Sequence, residues 1–499
     1  MSGGNNVIAS LYESRPGQGV LFTLPSGDGV TTDQALRRLK GMARFLSDQG
    51  VKTGDRVSVR LEKSLDAVLL AHAVMWLGAI VHPLNTAYTD HEVTLLLEDA
   101  KSKVLVCDNS EVDRFRPIAD KVAAELLTLP FPEGALIKPP RTEAPTNAKS
   151  PAALLYTSGT TGKPKGALIS HENLLHSATS LAGIWRLSSS DTLLHLLPVY
   201  HAHGLLTSIN TMLASGGSVL LLPGFDVRET IAATQACSVV MAVPTHYSRI
   251  LDEPSFGRDT IGRLRLAISG SAPLPLGLAA EFKERTGVSI IERYGSTEAA
   301  IVTALPAGED SRAGWVGWPL PDVDVQVRDS SGHTHKHGVG VLETRGPNVF
   351  VGYWNNEKAT SAATRDGWFD TGDVAEIDDQ GCVKLLGREK EIVITGGLNV
   401  YPAEIESALR QLREVKDAAV FGVPHPDFGE AVVAAVELKD PTSAFDQKLM
   451  QSALRTTLAS YKIPKSILAT QALPRNSMGK LLKGPLREAH WEIFVKQQQ

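Results

Sequence analysis

The stretch YTSGTTGKPKG, residues 156–166, contains three glycines, four Ser or Thr hydroxyls and two lysines, and it directly follows an apolar run. Small flexible residues let backbone N–H groups and hydroxyls surround phosphate oxygens, while the lysines supply positive charge. The spacing differs from a Walker A loop, because Gly159 and Gly162 are too close together and Lys163 is followed by Pro164. The stretch therefore predicts a phosphate-binding loop after a buried strand and argues against a P-loop kinase.

The composition indicates a large folded protein with no general affinity for nucleic acid or membranes. The 499 residues are 43% hydrophobic and 21% charged, which excludes disorder as the main state. The formal net charge of -5 offers no attraction for nucleic acid or anionic lipid. Residues 1–15 contain no apolar signal segment, and three scattered cysteines suit neither a disulfide framework nor a cysteine-rich zinc site. We therefore expect a cytoplasmic protein with cysteines at Cys107, Cys237 and Cys382.

The first 300 residues alternate between helical and β patterns. An amphipathic pattern at 34–49 is followed by β-rich runs such as 56–60 and 103–107. The apolar run 67–84 approaches the length of a membrane span, but Gly78 interrupts it, so we predict a buried helix followed by a strand. This alternation predicts an α/β fold of layered, largely parallel sheets.

The pattern of secondary structure changes over about the last 190 residues, which predicts a further subdomain and a second domain. After about residue 310 the chain becomes a series of β runs punctuated by Gly and Pro, and near residue 390 a new β/α alternation starts. We expect an N-terminal domain over residues 1–388, with a small β-rich subdomain at about 310–388. A small α+β C-terminal domain is expected over residues 389–499.

Six further motifs accompany the glycine-rich stretch. They are SGSAP at 269–273, YGSTE at 294–298, TGD at 371–373, GREK at 387–390, GGLNVYPAEIE at 396–406 and PRNSMGK at 474–480. In this order the motifs resemble those of the acyl-adenylate-forming superfamily, which includes acyl-CoA synthetases, luciferases and peptide-synthetase adenylation domains. The resemblance covers nearly the whole chain and implies ATP, Mg²⁺ and coenzyme A as cofactors or co-substrates.

The resemblance also implies roles for residues on the nucleotide side. Tyr294 would line the adenine pocket, Asp373 would accept hydrogen bonds from the ribose, and Glu298 would hold Mg²⁺, which prefers carboxylate oxygen beside a triphosphate. The implied ATP-binding residues are Thr157, Ser158, Gly159, Thr160, Thr161, Gly162, Lys163, Lys165, Gly270, Ser271, Ala272, Glu292, Tyr294, Gly295, Thr297, Asp373 and Arg388.

The implied reaction has two halves: a carboxylate and ATP give acyl-AMP and pyrophosphate, and the thiol of coenzyme A then displaces AMP. Cations aimed at the reacting phosphorus matter most for the first half, and Lys480 is the residue that the resemblance places there. The implied catalytic residues are Lys480, Glu298 and His201. The implied CoA-binding loop is Gly396, Gly397, Leu398 and Asn399. The resemblance makes residues 1–388 the ATP- and acyl-binding domain, whereas Lys480 and the CoA-binding loop lie in the C-terminal domain, which implies a mobile lid that turns about a hinge at Lys390.

Arg293, directly before Tyr294, bears on which acid is activated. A buried guanidinium beside an aliphatic tail would carry an uncompensated desolvation penalty of roughly several kcal/mol. A short dicarboxylate supplies the counter-charge, because one carboxylate attacks ATP while the other pairs with the guanidinium. From the residue alone, pairing with Glu292 or another protein acid stays open. The expected substrate-binding residues are Arg293, His201, His203 and Ser271.

Together, ERYG at 292–295, YHAHGL at 200–205 and SGSAPL at 269–274 resemble malonyl-CoA synthetases, which act on malonate and often methylmalonate. Ser296 and His246 depart from the pattern common in those enzymes. Two alternatives remain: a CoA ligase for oxalate or a short monocarboxylate, and a carrier-loading adenylation domain. The sequence leaves the oligomeric state undetermined.

Two histidine groups raise the question of a metal. His201 and His203 have no Cys or acidic ligand nearby in sequence, so we do not expect zinc there. His333, His335 and His337 would share one strand face, but they lie among Gly, Ser and Lys, which predicts an exposed hairpin tip.

Overall fold

The computed structural model describes residues 5–13, 15, 17–131, 147–157, 164–309, 312–395, 398–426, 428–442, 445–476 and 479–494. The fold is α/β, as the alternating patterns predicted, with sheets covered by helices. Of the predicted phosphate-binding loop, Ser158, Gly159, Thr160, Thr161, Gly162 and Lys163 lie outside the described residues, as do Gly396 and Gly397 of the predicted CoA-binding loop.

The largest sheet has nine described strands and is parallel through its centre. Their spatial order is Trp318–Pro319, Ala300–Ala304, Ile290–Ser296, Leu266–Ser269, Val239–Ala242, Thr192–His195, Ser218–Leu221, Val20–Thr23 and Gly29–Thr31. The pairs at the two ends are antiparallel and the six central strands run parallel. Central strands such as Val239–Ala242 are buried along their whole length, which accounts for their continuous apolar sequence.

A second sheet has seven described strands. In spatial order they are Gly352–Tyr353, Lys165–Ser170, Pro151–Thr157, Ile80–Pro83, Arg56–Arg60, Val104–Asp108 and Glu125–Leu129. The run 67–84 forms the buried helix Leu65–Trp76 and the strand Ile80–Pro83, and Gly78 between them has a φ of +69°, so this prediction is confirmed.

Two smaller sheets follow in the chain. The first has six described strands, Thr334–His335, Asp324–Arg328, Gly338–Arg345, Trp368–Ile377, Thr364–Arg365 and Val383–Arg388. The second has five, Leu398–Val400, Val393–Thr395, Gly429–Leu438, Val415–His425 and Ser466–Thr470. This last sheet packs around an apolar core of its own that includes Val393, Ile405 and Val436. The boundary between residues 388 and 389 stays a prediction.

The helices cover the sheets with apolar faces. In the helix Thr32–Asp48, Ala35, Leu39, Met42 and Leu46 recur at helical spacing and are buried, and Thr31 closes a capping box at its start. The described α-helices are Val7–Glu13, Thr32–Asp48, Leu65–Trp76, Asp90–Ala100, Val112–Lys121, His171–Ile184, Asn210–Ser215, Val227–Thr234, Pro244–Leu251, Leu276–Thr286, Glu357–Ala363, Pro402–Arg410, Gln447–Leu454 and Lys483–Ala489. Asn109–Glu111, Glu389–Glu391 and Ser460–Lys462 are 3₁₀ turns, and His203–Ile209 is a π-helix.

The carboxyl ends of the parallel strands bring most predicted site residues to one side of the molecule. Thr157 ends one strand, residues 270–272 follow another, and residues 293–298 span the end of a third. Ligands of α/β sheets bind at this edge, so the topology gathers motifs that are far apart in sequence. Within the described parts of the chain, no helix is both long enough and apolar enough to cross a membrane.

Candidate active site

Arg293 lies in a niche that Gly270 leaves open. A Cβ at position 270 would be 2.7 Å from both Cζ and Nε of Arg293, so only glycine fits against the guanidinium in this pose. Arg293 is 7% exposed, its Nε has no hydrogen-bond partner, and burial lowers its pKa to about 10. Glu292 turns away, because its carboxylate accepts the N–H of Leu274 at 3.2 Å. Among the residues that the structure describes, no carboxylate forms an ion pair with this guanidinium.

His201 and His203 contact the same region as Arg293. His203 Nδ1 lies 3.2 Å from the hydroxyl of Ser271, and the backbone N–H of His203 donates to His201 Nδ1 at 3.2 Å. Burial and the charge of Arg293 lower the pKa of His201 to about 4 and move the pKa of His203 well below its ordinary value. Both rings are therefore neutral at neutral pH. The four residues expected to bind substrate thus lie together.

Three basic residues that the sequence did not assign to the acyl pocket lie beside these histidines. His195 Nε2 is 3.0 Å from the carbonyl oxygen of Gly204, and Lys63 donates to the carbonyl oxygen of His195 at 2.9 Å. His246 stacks on Phe225 with ring centroids 4.3 Å apart. The departure at position 246 was the only sequence signal for any of them, since Lys63 and His195 occupy no recognised motif.

Asp373, which is expected to bind ribose, accepts a hydrogen bond and forms an ion pair. The hydroxyl of Tyr294 donates to Asp373 Oδ2 at 2.6 Å, and Arg388 Nε lies 2.8 Å from Asp373 Oδ1. The Arg388 contact follows from strand register, because residues 373 and 388 are direct partners on neighbouring antiparallel strands. Burial raises the pKa of Asp373, and Arg388 acts in the opposite direction. The Arg388 guanidinium and the Tyr294 phenol thus fix the orientation of the Asp373 carboxylate, the group expected to bind ribose.

Glu298 is oriented by a residue that the sequence did not indicate. The Tyr353 hydroxyl donates to Glu298 Oε1 at 3.0 Å, and the Thr157 hydroxyl lies 3.4 Å from the same oxygen. The ammonium of Lys165 lies 5.2 Å from the centre of the Tyr353 ring. Thr157 thus contacts Glu298 directly, and Lys165 is connected to Glu298 through Tyr353. The order of the motifs in the sequence only implied that the glycine-rich stretch and Glu298 lie close together.

The remaining residues predicted to bind ATP lie in or directly after two neighbouring strands. Gly270, Ser271 and Ala272 follow the strand Leu266–Ser269, and Ser271 has a φ of +70°. Glu292 and Gly295 belong to the strand Ile290–Ser296, and Thr297 follows it. Burial raises the pKa of Glu292 to about 7. Glu292 is therefore a buried carboxyl group that accepts a backbone N–H, and its expected role toward ATP stays a prediction.

Lys480 lies near the Asp373–Arg388 pair. Desolvation and the Arg388 charge lower the pKa of Lys480, whereas Glu391 and Asp373 raise it. The preceding Gly479 lies against the helix Pro244–Leu251, because a Cβ there would lie 3.1 Å from the Thr245 hydroxyl oxygen. In this pose Lys480 faces the nucleotide side.

Neighbouring Lys483 differs from Lys480. It pairs with Glu406 at 2.7 Å and with Glu391 at 3.2 Å, so its charge is used inside the C-terminal region. Lys390 lies in the 3₁₀ turn Glu389–Glu391, and Leu398 is 47% exposed in a short strand. Asn399 belongs to that strand, but its side chain is not among those described.

The second histidine group is an exposed hairpin, as predicted. His335 pairs with Asp329 at 2.8 Å, His333 with the Ser331 hydroxyl at 3.0 Å, and His337 Nδ1 lies 2.7 Å from the Asp378 carbonyl oxygen. Each of the three imidazoles therefore has a local partner. No cluster of metal-ligand type is present within the described ranges.

Comparison with known proteins agrees with this architecture. A family model of AMP-binding enzymes matches residues 13–354, and a model of the AMP-binding enzyme C-terminal domain matches residues 404–480. The ATP-bound crystal structure of MatB from Rhodopseudomonas palustris is 40% identical, covers 99% of this chain and 100% of its own, and has a TM-score of 0.94.

Curated relatives are similar over most of their length. The mitochondrial malonate–CoA ligase ACSF3 of Mus musculus is 34% identical and covers 88% of this chain and 83% of its own. A long-chain-fatty-acid–CoA ligase of Bacillus subtilis is 32% identical and covers 93% and 91%, respectively. The chain therefore belongs to the AMP-binding enzyme family and is an acyl-CoA ligase that acts through an acyl-adenylate, with ATP and coenzyme A as co-substrates.

Proposed function

We propose that this ligase activates malonate, and also methylmalonate, to the CoA thioester. The observation that carries the proposal is the buried Arg293 guanidinium in its glycine niche, without a carboxylate partner among the described residues. An unpaired buried cation is costly, and a bound second carboxylate removes that penalty. Similarity to a malonate–CoA ligase supports the proposal, but a fatty-acid ligase is nearly as similar, so the site argument has to separate them.

The positions of Arg293, Lys480 and Asp373 suggest a different role for each in the first half-reaction. Arg293 holds the distal carboxylate, and the other carboxylate attacks the α-phosphorus of ATP. An O–P bond forms to the malonate oxygen while the bond to pyrophosphate breaks. Lys480 offsets the negative charge that develops at phosphorus, and Asp373 fixes the ribose. Coenzyme A then supplies a thiol whose sulfur displaces AMP.

Glu298 fits the expected Mg²⁺. Both of its described hydrogen bonds go to Oε1, so Oε2 remains available as a ligand. A single carboxylate suits a cation that keeps several waters and shares substrate phosphates. We propose that Glu298 would hold Mg²⁺, which would supply positive charge beside the phosphates of ATP. The C-terminal lid over residues 389–499, its pivot at Lys390 and CoA contacts at Gly396, Gly397, Leu398 and Asn399 are proposed on the family resemblance.

A substrate panel tests the assignment. Pyrophosphate release would be measured with malonate, methylmalonate, oxalate, succinate, acetate and octanoate, each with and without coenzyme A. We expect malonate and methylmalonate to give the highest kcat/KM and CoA-dependent AMP formation. Preference for acetate or octanoate would reject the dicarboxylate assignment, and preference for oxalate would retain Arg293 but change the acid. Activity on amino acids without CoA transfer would indicate a carrier-loading enzyme.

A further inference from the structure

Lys63 is a cation without an acidic partner at the edge of the acyl pocket. It lies between the strand Arg56–Arg60 and the helix Leu65–Trp76, and it is half-buried. Its ammonium donates to the carbonyl oxygen of His195 at 2.9 Å. An ammonium has three N–H donors, and the other two have no partner among the described residues. Of the two acids nearest in sequence, the Glu62 side chain is exposed to solvent, and Asp66 forms an ion pair with Arg38 at 2.6 Å.

The position of Lys63 favours an anion rather than a second cation. Ser64, the next residue, caps the helix Leu65–Trp76, so Lys63 lies beside a helix N-terminus. The positive end of a helix dipole repels an ammonium and attracts a carboxylate. Burial lowers the pKa of Lys63 to about 7, and an anion bound nearby would favour its charged form. A purely structural hydrogen bond to a carbonyl would not require this costly residue type.

Neutral histidines connect Lys63 to Arg293. Burial lowers the pKa of His195, His203 and His246. Nearby cations lower it further, Lys63 at His195, Arg249 and Lys63 at His246, and Arg293 at His203. His203 in turn is close enough to His195 and His246 for each to lower its pKa. The described part of the chain places no carboxylate among the groups that shift these histidines.

Buried nitrogens without a partner among the described residues occur on two of these histidines and on Arg293. They are His203 Nε2, His246 Nδ1 and Arg293 Nε. Buried polar atoms in folded proteins normally have partners, and several exceptions in one place indicate a missing polar ligand. Because two positive charges flank these atoms, the expected ligand is an anion.

We propose that Lys63 is a specificity-determining residue of the acyl pocket, which together with Arg293 selects acids that carry two negative charges. This inference rests on the proposed malonate function and deepens it. Lys63 raises the positive potential across the histidine cluster without having to contact the carboxylate that Arg293 binds. A doubly charged acid gains more from that potential than a singly charged one of the same shape.

Monomethyl malonate is the matched probe, because it retains the malonate skeleton but carries one charge. We would measure ATP–pyrophosphate exchange with both acids and take the ratio of their kcat/KM values. Lys63→Gln keeps an N–H donor for the His195 carbonyl and removes the charge, whereas Lys63→Arg keeps both. For a charge acting through the protein interior, we expect Lys63→Gln to lower the ratio by about tenfold and Lys63→Arg to preserve it.

The possible outcomes are distinct. An unchanged ratio in a folded Lys63→Gln protein would overturn the inference and leave Lys63 as a support for His195. A rise confined to the KM of coenzyme A would also overturn it, because the anion would then belong to that co-substrate. If the wild-type enzyme does not use malonate, the proposed function fails, whereas a malonate enzyme indifferent to Lys63 loses only this inference.

Discussion

Replacing Gly270 with alanine should displace the Arg293 guanidinium without disturbing the fold. The new Cβ would lie 2.7 Å from Cζ and Nε and 3.0 Å from Nη2, and no other atom is as close. These atoms are the end of a flexible side chain, so the guanidinium must retreat by about 0.7 Å to reach ordinary contact at 3.4 Å. A misplacement of roughly 1 Å in a positioning group lowers rates by about 10²-fold, or about 2.7 kcal/mol.

Steady-state kinetics with malonate and butyrate would measure this effect. We expect Gly270→Ala to lower kcat/KM for malonate by about 10²-fold and to change butyrate much less. Arg293→Leu sets the limit, since losing one partner of a buried charge pair costs about 3 to 5 kcal/mol. Gly277→Ala is the matched control, because a Cβ there meets no atom within 4 Å. Equal losses on both acids, or a changed KM for ATP alone, would show that Gly270 serves the nucleotide and would refute the reasoning.

Three further outcomes follow from the site. Lys480→Ala should slow acyl-AMP formation by about 10² to 10³-fold and affect thioester formation from supplied malonyl-AMP far less, and equal losses in the two assays would contradict its role. Lys390→Pro fixes φ near −65°, so it should retain one half-reaction, adenylation, and lose most of the other, provided that thermal melting shows a folded protein. Tyr353→Phe removes the hydroxyl that orients Glu298, so the Mg²⁺ concentration for half-maximal rate should rise, and direct Mn²⁺ titration should weaken in parallel.

The sequence predicted most of what depends on local pattern. The buried helix Leu65–Trp76 follows from an apolar run ended by glycine, and the gathering of the motifs follows from strands that alternate with helices. The sequence also located Arg293 and left its partner open. The structure excludes Glu292, because backbone geometry directs that carboxylate to the Leu274 N–H. This detail depends on packing and no local pattern could supply it.

The missed residues share a physical feature. Tyr353 reaches Glu298 from a two-residue edge strand, and Lys63 reaches His195 across 132 positions of sequence. Neither side chain belongs to a run with a recognisable period, so sequence spacing carries no information about the contact. Such contacts depend on which strands are neighbours, and a strand order with several crossovers cannot be read from spacing alone.

The strand Ile290–Ser296 separates two different electrostatic environments. One face carries the Arg293 guanidinium, which is unpaired among the described residues, and the other carries Tyr294, which contacts the Asp373 carboxylate. Successive side chains of a strand point to opposite faces. Arg293 therefore faces Gly270 and the neutral histidines, where no described carboxylate competes for it, while Tyr294 faces Asp373 and the cations around the nucleotide. Because one strand separates the two sides, we expect a substitution at position 293 to change the preferred acid while leaving the hydrogen bond from Tyr294 to Asp373 in place. A one-residue shift of this strand would instead bring the phenol to the acyl side and the guanidinium to the ribose, so its register determines both halves of the site.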